Sequence, residues 1–157
     1  MYARGMSPPL LHFDHIGLVV ADLSEGRRHL TGTLQISRWT ESVDDHGIGV
    51  SVQFGLGDSG PCVELIAPLG EESPVANALR KGHRILSHLA YITAEIQAAG
   101  EALEREGCVS TGPAHPAVAY GGALVQFWIS PLRFIIELIE APGHQHAYQQ
   151  REREAKP

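Results

Sequence analysis

The sequence predicts an α+β protein built as two tandem βαβββ modules, and two observations carry that prediction. Short stretches recur at a fixed offset of 73 residues: HIGLVVADL starts at His15 and HLAYITAEI at His88, Val-Gln-Phe recurs so that Gln53 matches Gln126, and VELIAP returns within IELIEAP so that Glu64 matches Glu137. Matches at one offset, with no gap between them, mark a tandem duplication. Within each copy the order of patterns is also the same: a strand passing into a helix, then three strands.

The elements follow in order. A first strand runs from His12 to Val20. Asp22 followed by Glu25 is a helix-start pair, and a helix is expected from Leu23 to Leu34. Strands come next near Ile36 to Glu41, Gly49 to Gly55 and Pro61 to Ala67. Ser73-Pro74 puts a proline at the first helical position and opens a linker helix to Arg80, which Gly82 stops. In the second copy SHLAYIT, from Ser87, alternates so that His88, Ala90 and Ile92 share a face. That strand is placed at His88 to Thr93. A helix from Ala94 to Glu106, a short strand at Cys108 to Thr111, and strands at Ala123 to Ile129 and Arg133 to Ile139 complete the copy. The Gly- and Pro-rich stretch from Thr111 to Gly122 is expected to be a mobile cover. The chain is thus read as an N-terminal extension (1–11), a first module (12–70), a linker helix (71–87), a second module (88–142) and a polar, frayed tail (143–157).

Composition narrows the function classes. The chain has 157 residues, 43% hydrophobic and 19% charged, enough to bury a core in one domain or two small fused modules. A net charge of -6, a pI near 5.8 and scattered Lys and Arg give no footprint for nucleic acid or an anionic membrane. No apolar run approaches the roughly 20 residues that span a bilayer, and MYARGMSPPL lacks the apolar core of a secretory signal, so a cytoplasmic location is expected. Cys62 and Cys108 fit no CxxC pattern, which argues against a disulfide framework or a zinc ribbon.

A lone histidine on an apolar strand is ordinarily a hydrogen-bonded core residue. The duplication changes that reading. The first strand of each half carries a histidine and the last strand a glutamate among apolar neighbours: His15 with Glu64, and His88 with Glu137. Burying one unpaired carboxylate is costly, and burying two at equivalent positions suggests a cation in the same space. Two imidazoles and two carboxylates suit a divalent ion such as zinc, nickel, cobalt, iron or manganese, with positions left for water or substrate oxygens. The alternative is a salt bridge inside each half.

At these residues, DHIGLVVADL, VELIAPLGEESPVANALRKG, HLAYIT and IIELIE, the sequence resembles the vicinal oxygen chelate (glyoxalase/bleomycin resistance/dioxygenase) superfamily, and within it the methylmalonyl-CoA epimerase-like proteins. The resemblance spans roughly Phe13 to Pro142 and is most particular from Glu64 to Gly82. It implies paired modules closing a partly open barrel around a metal held by His15, Glu64, His88 and Glu137, and it implies a homodimer. Epimerase-like proteins have two adjacent histidines where this chain has Ser87 and His88. They approach the last strand through a His-Pro-Lys and Gly-Gly segment, where this chain has Ser130-Pro131-Leu132-Arg133. Some members place a carboxylate base in the third strand, where this chain has Val50 and Ser51.

The chemistry expected of such a site is proton abstraction beside a carbonyl by an epimerase or isomerase, with the enolate stabilised on the divalent metal. Glu137 and Glu64 are the candidate catalytic bases. Arg133, sharing the parity of Glu137, is a candidate for a substrate carboxylate or phosphate and equally a solvated strand-end charge. Gln53 and Gln126 on the third strands, and Tyr120 and His115 in the Gly/Pro-rich stretch, complete the substrate-binding candidates. Gly17 and Ala90 follow the two histidines on the same face, where their smallness would leave room for a ligand or equally serve tight packing. His144 and His146 form a His-x-His in the tail, read as stray metal affinity. The partner is then a small-molecule carbonyl substrate, a CoA thioester among the options. The alternatives are a glyoxalase I-like lyase or another enzyme of the superfamily, or a non-catalytic small-molecule-binding or resistance protein.

Overall fold

A computed structural model describes residues 9–82 and 86–146, an α+β fold with three α-helices and ten strands among them. The described chain divides into two compact units, one of residues 15–82 and 86–87 with 143–146, the other of residues 9–14 with 88–142. The outermost parts of the expected extension and tail, residues 1–8 and 147–157, and His83 lie outside the described residues.

The unit carrying the first copy contains β1 (His12–Val19, most of it), α1 (Leu23–Leu34), β2 (Arg38–Trp39), β3 (Val43–Asp45), β4 (Val50–Leu56), β5 (Val63–Pro68) and α2 (Pro74–Arg80). Its strands run in the order β2-β4-β5-β1, with β3 also on β4. β5 is parallel to β1, Ile16 facing Val63 through Val19 facing Ile66, and antiparallel to β4. Asp22 starts α1 by accepting from the Glu25 N–H at 2.8 Å, the cap its sequence predicts. Leu30 of α1 then packs with Ile36, Val63 and Leu65.

The other unit contains β6 (Leu86–Ile92, most of it), α3 (Ile96–Arg105), β7 (Val109–Ser110), β8 (His115–Ala117), a 3-10 turn (Val118–Tyr120), β9 (Ala123–Ile129) and β10 (Ile135–Ile139). The order is β6-β10-β9-β7, with β8 on β9. β10 is parallel to β6 and antiparallel to β9. Ile96 and Ala99 of α3 close over Cys108, Trp128 and Leu138. The two units therefore share one plan, with the first and last strands of each copy side by side and parallel.

Three expectations are corrected. The stretch from Thr111 to Gly122 is not a loose cover: β8 pairs antiparallel with β9, His115 facing Val125 and Ala117 facing Ala123, and a 3-10 turn follows. The strand placed at Ile36 to Glu41 is shorter, Arg38–Trp39: these two residues face Leu56 and Gly55 of β4, and single bonds from the Ser37 N–H to the Leu56 carbonyl and from the Thr40 N–H to the Phe54 carbonyl flank them. The last strand begins at Ile135 rather than Arg133. Residues 130–134 form a tight turn, closed by the Ser130 N–H donating to the Phe134 carbonyl at 2.9 Å, with Arg133 left-handed at φ 67°. Arg133 consequently has no strand parity to share with Glu137.

Candidate metal centre

Parallel pairing brings a histidine and a glutamate together in each unit. In the first, β5 lies on β1 so that Glu64 is the register partner of Gly17. His15 precedes Gly17 by two residues and so points to the same face. The result is His15 Nε2 at 3.0 Å from Glu64 Oε2, the imidazole wholly buried. In the second unit Glu137 is the register partner of Ala90, two residues after His88. His88 Nε2 stands 2.9 Å from Glu137 Oε2, both residues 5% exposed or less. The residue directly beside each glutamate is therefore among the smallest available, glycine in one copy and alanine in the other.

Burial makes these contacts obligatory. A carboxylate withdrawn from water among Val63 and Leu65, or Leu138 and Ile139, must find a donor or a cation. Each unit presents one imidazole nitrogen and one carboxylate oxygen, and all four residues are buried and of ligand type. The two carboxylates carry the charge that offsets one divalent ion, and a mixed N/O set is the kind that zinc and the late first-row metals accept. The residues fit such an ion.

Further aromatic rings pack against the histidines. Phe54 on β4 meets the His15 ring edge-on at 5.3 Å between centroids, and Phe127 on β9 meets His88 in the same way at 5.5 Å. Both phenylalanines belong to the repeated Val-Gln-Phe, so the duplication had already marked them. Phe54 is packed in turn by His146 at 4.5 Å, and Phe127 by His115 at 6.2 Å. Nothing in the sequence pattern links His146 to Phe54, since it lies beyond the second copy.

The other sequence-selected residues have structural partners. The Gln53 side-chain amide, buried, donates to the Thr40 carbonyl at 2.7 Å. Gln126 does the same to the Gly112 carbonyl at 2.9 Å and to Ser110 Oγ at 3.2 Å. Each glutamine thus staples the segment alongside its strand. Tyr120 is buried and its hydroxyl donates to Asp14 Oδ2 at 2.6 Å, tying the 3-10 turn to the residue before His15. Arg133 is exposed in its turn. Ser51, at a third-strand position, donates its hydroxyl to Asp44 at 2.6 Å.

The family model for the glyoxalase/bleomycin resistance protein/dioxygenase superfamily matches residues 14–127. Among solved structures, the chain is similar to a hypothetical protein from Bacillus halodurans at 24% identity, with a TM-score of 0.73 over 87% of this chain and 98% of that one. It is similar to methylmalonyl-CoA epimerase from Mycobacterium tuberculosis at 22% identity, with a TM-score of 0.68 over 87% and 92% of the two chains. A Streptomyces coelicolor methylmalonyl-CoA epimerase in complex with 2-nitronate-propionyl-CoA matches at 21% identity, with a TM-score of 0.69 over 87% and 99%. Identities this low establish the fold alone. No curated protein matches the sequence. Given the duplicated modules and a family match that spans most of the chain, the protein belongs to the glyoxalase/bleomycin resistance protein/dioxygenase superfamily.

Proposed function

We propose that the protein is a metal-dependent isomerase of the epimerase kind, with His15, Glu64, His88 and Glu137 holding one divalent cation between them. The observation that carries this reading is the repeated buried His–Glu pair, made by the same strand pairing in each unit. Both copies have kept the pair together with its register, its small neighbour and its phenylalanine. A divalent cation bound there would supply Lewis-acid stabilisation for negative charge developing on a carbonyl oxygen.

The chain's own residues do the rest. Glu64 and Glu137 are the groups able to accept a proton from a carbon beside that carbonyl, and the one that does so would first have to loosen from the cation; each carboxylate lies 3.0 Å or less from an imidazole Nε2. Carboxylates drawn from two equivalent halves suit removal of a proton from one side of a planar intermediate and its return to the other. Burial of all four side chains keeps water from competing for that proton. Similarity to epimerases, one of them solved with a propionyl-CoA analogue, makes an acyl-CoA thioester the first substrate class to test. A homodimer is the assembly we expect, checked by sedimentation velocity.

The tight turn at 130–134 favours a second reading. It leaves the approach to β10 short, which suits a carbonyl substrate without a nucleotide handle, as a glyoxalase I-like lyase would take. Protein purified without an affinity tag should carry about one divalent ion per chain by elemental analysis. Incubated with acyl-CoA thioesters in deuterated water, it should label the carbon beside the carbonyl. Glu64→Gln and Glu137→Gln should each slow labelling by about 10²- to 10⁴-fold. If both variants kept their metal and labelled at the normal rate, the reading would be wrong. Labelling of small carbonyl compounds but not of thioesters would select the second reading.

A further inference from the structure

The chain's last described residues are placed in a way that a polar tail does not require. His146 is 5% exposed and its ring lies 4.5 Å from that of Phe54, centroid to centroid, tilted by 44°. Phe54 itself is 5% exposed and sits edge-on to His15. An imidazole is costly to withdraw from water. Here the cost is met at a position that fixes one ring against the next: His146, Phe54, His15. The other unit has a matching row of His115, Phe127 and His88. The phenylalanines are related by the duplication and the outer histidines are not, so each half has an imidazole against its phenylalanine from a different part of the chain.

We infer that His146 is a positioning residue for the His15–Glu64 half of the metal centre, acting through Phe54, and that His115 does the same for His88 through Phe127. The inference rests on the metal-binding reading given above. His15 meets Glu64 through Nε2, and rotation of its ring would move that nitrogen away from the carboxylate. An aromatic ring packed edge-on against an imidazole limits this rotation most when it is itself held in place by further packing. His146 holds Phe54 in that way. Removing such support for a ligand lowers metal affinity without removing a ligand, as loss of outer contacts does at other metal sites.

The test uses full-length, untagged protein and compares His146→Ala, His146→Phe and His115→Ala with the unaltered chain. Zinc affinity is measured by chelator competition, and imidazole resonances of the metal-free protein by long-range proton–nitrogen NMR. His146→Ala should bind zinc about tenfold more weakly and should shift the His15 resonances while leaving those of His88 in place. His146→Phe, which keeps a ring against Phe54, should restore affinity to within about threefold. His115→Ala should shift His88 and leave His15. Wild-type affinity in His146→Ala, or His15 resonances unmoved by it, would overturn the inference. Should the unaltered chain bind no divalent ion, the functional reading fails, and the metal-free resonances still decide whether His146 positions His15.

Discussion

At Gly55 the backbone of β4 passes so close beneath Trp39 that an added methyl group would lie 2.5 Å from the indole and 2.8 Å from Ile36. Gly100 on α3 stands in the same relation to Trp128, at 2.7 Å. Replacing either glycine by alanine should cost about 1–3 kcal/mol through overpacking, measured by urea denaturation. Arg133 poses the opposite case. It occupies the left-handed position of the β9–β10 turn, where glycine carries no Cβ penalty, and Arg133→Gly should stabilise by about 0.5 kcal/mol once the extra freedom of the unfolded chain is counted. Cys108 is a third. Burial under α3 raises its thiol pKa, and the nearby Glu106 carboxylate raises it further. The thiol should therefore alkylate slowly in the native protein. Because the folded pKa lies above the unfolded one, the resulting stability is fully present below the unfolded value, about 8.5, and is lost as pH rises through the folded value. The urea midpoint should fall more steeply above that pH for the natural chain than for Cys108→Ala.

Helices and strands differ in how much of their cause is local. α1 runs as its sequence predicts, because Asp22 supplies the N-terminal acceptor from the adjacent residue. Asp22→Ala should cost about 1 kcal/mol. At α3, Glu95 makes no side-chain cap bond, and the Ile96 N–H donates instead to Glu140 Oε2 at 2.7 Å. That acceptor lies 44 residues away in sequence, so no local pattern could reveal it, and Glu140→Ala should lower the melting temperature by an amount similar to Asp22→Ala. Strands β3 and β8 escaped notice for a related reason. Three-residue strands carry too little alternation to read, and β8 is interrupted by Pro116, a residue at home on an edge strand. Their pairing with β4 and β9 is decided by the longer strand. The staple from Gln126 to Gly112 likewise holds the start of the Gly/Pro-rich stretch by a contact that composition cannot show.

For the molecule as a whole, ligand binding and stability are one equilibrium. A divalent ion at one hundred times its dissociation constant should stabilise the fold by about 2.7 kcal/mol, raising the melting temperature by several degrees in a chain of this size. A chelator should reverse the shift, and His15→Ala or His88→Ala should abolish it. The fold and the four ligand candidates were legible because duplication writes them twice at one offset. The rings packed against them were half legible: Phe54 and Phe127 repeat, whereas His146 has no counterpart at the 73-residue offset. Sequence and packing are in fact divided at different places. The second copy begins at residue 88, yet the packed unit that holds most of the first copy takes in 143–146, and the one that holds the second takes in 9–14. A gene cut between the copies would therefore yield two incomplete products, one without the ring that backs Phe54 and the other without the acceptor for Tyr120.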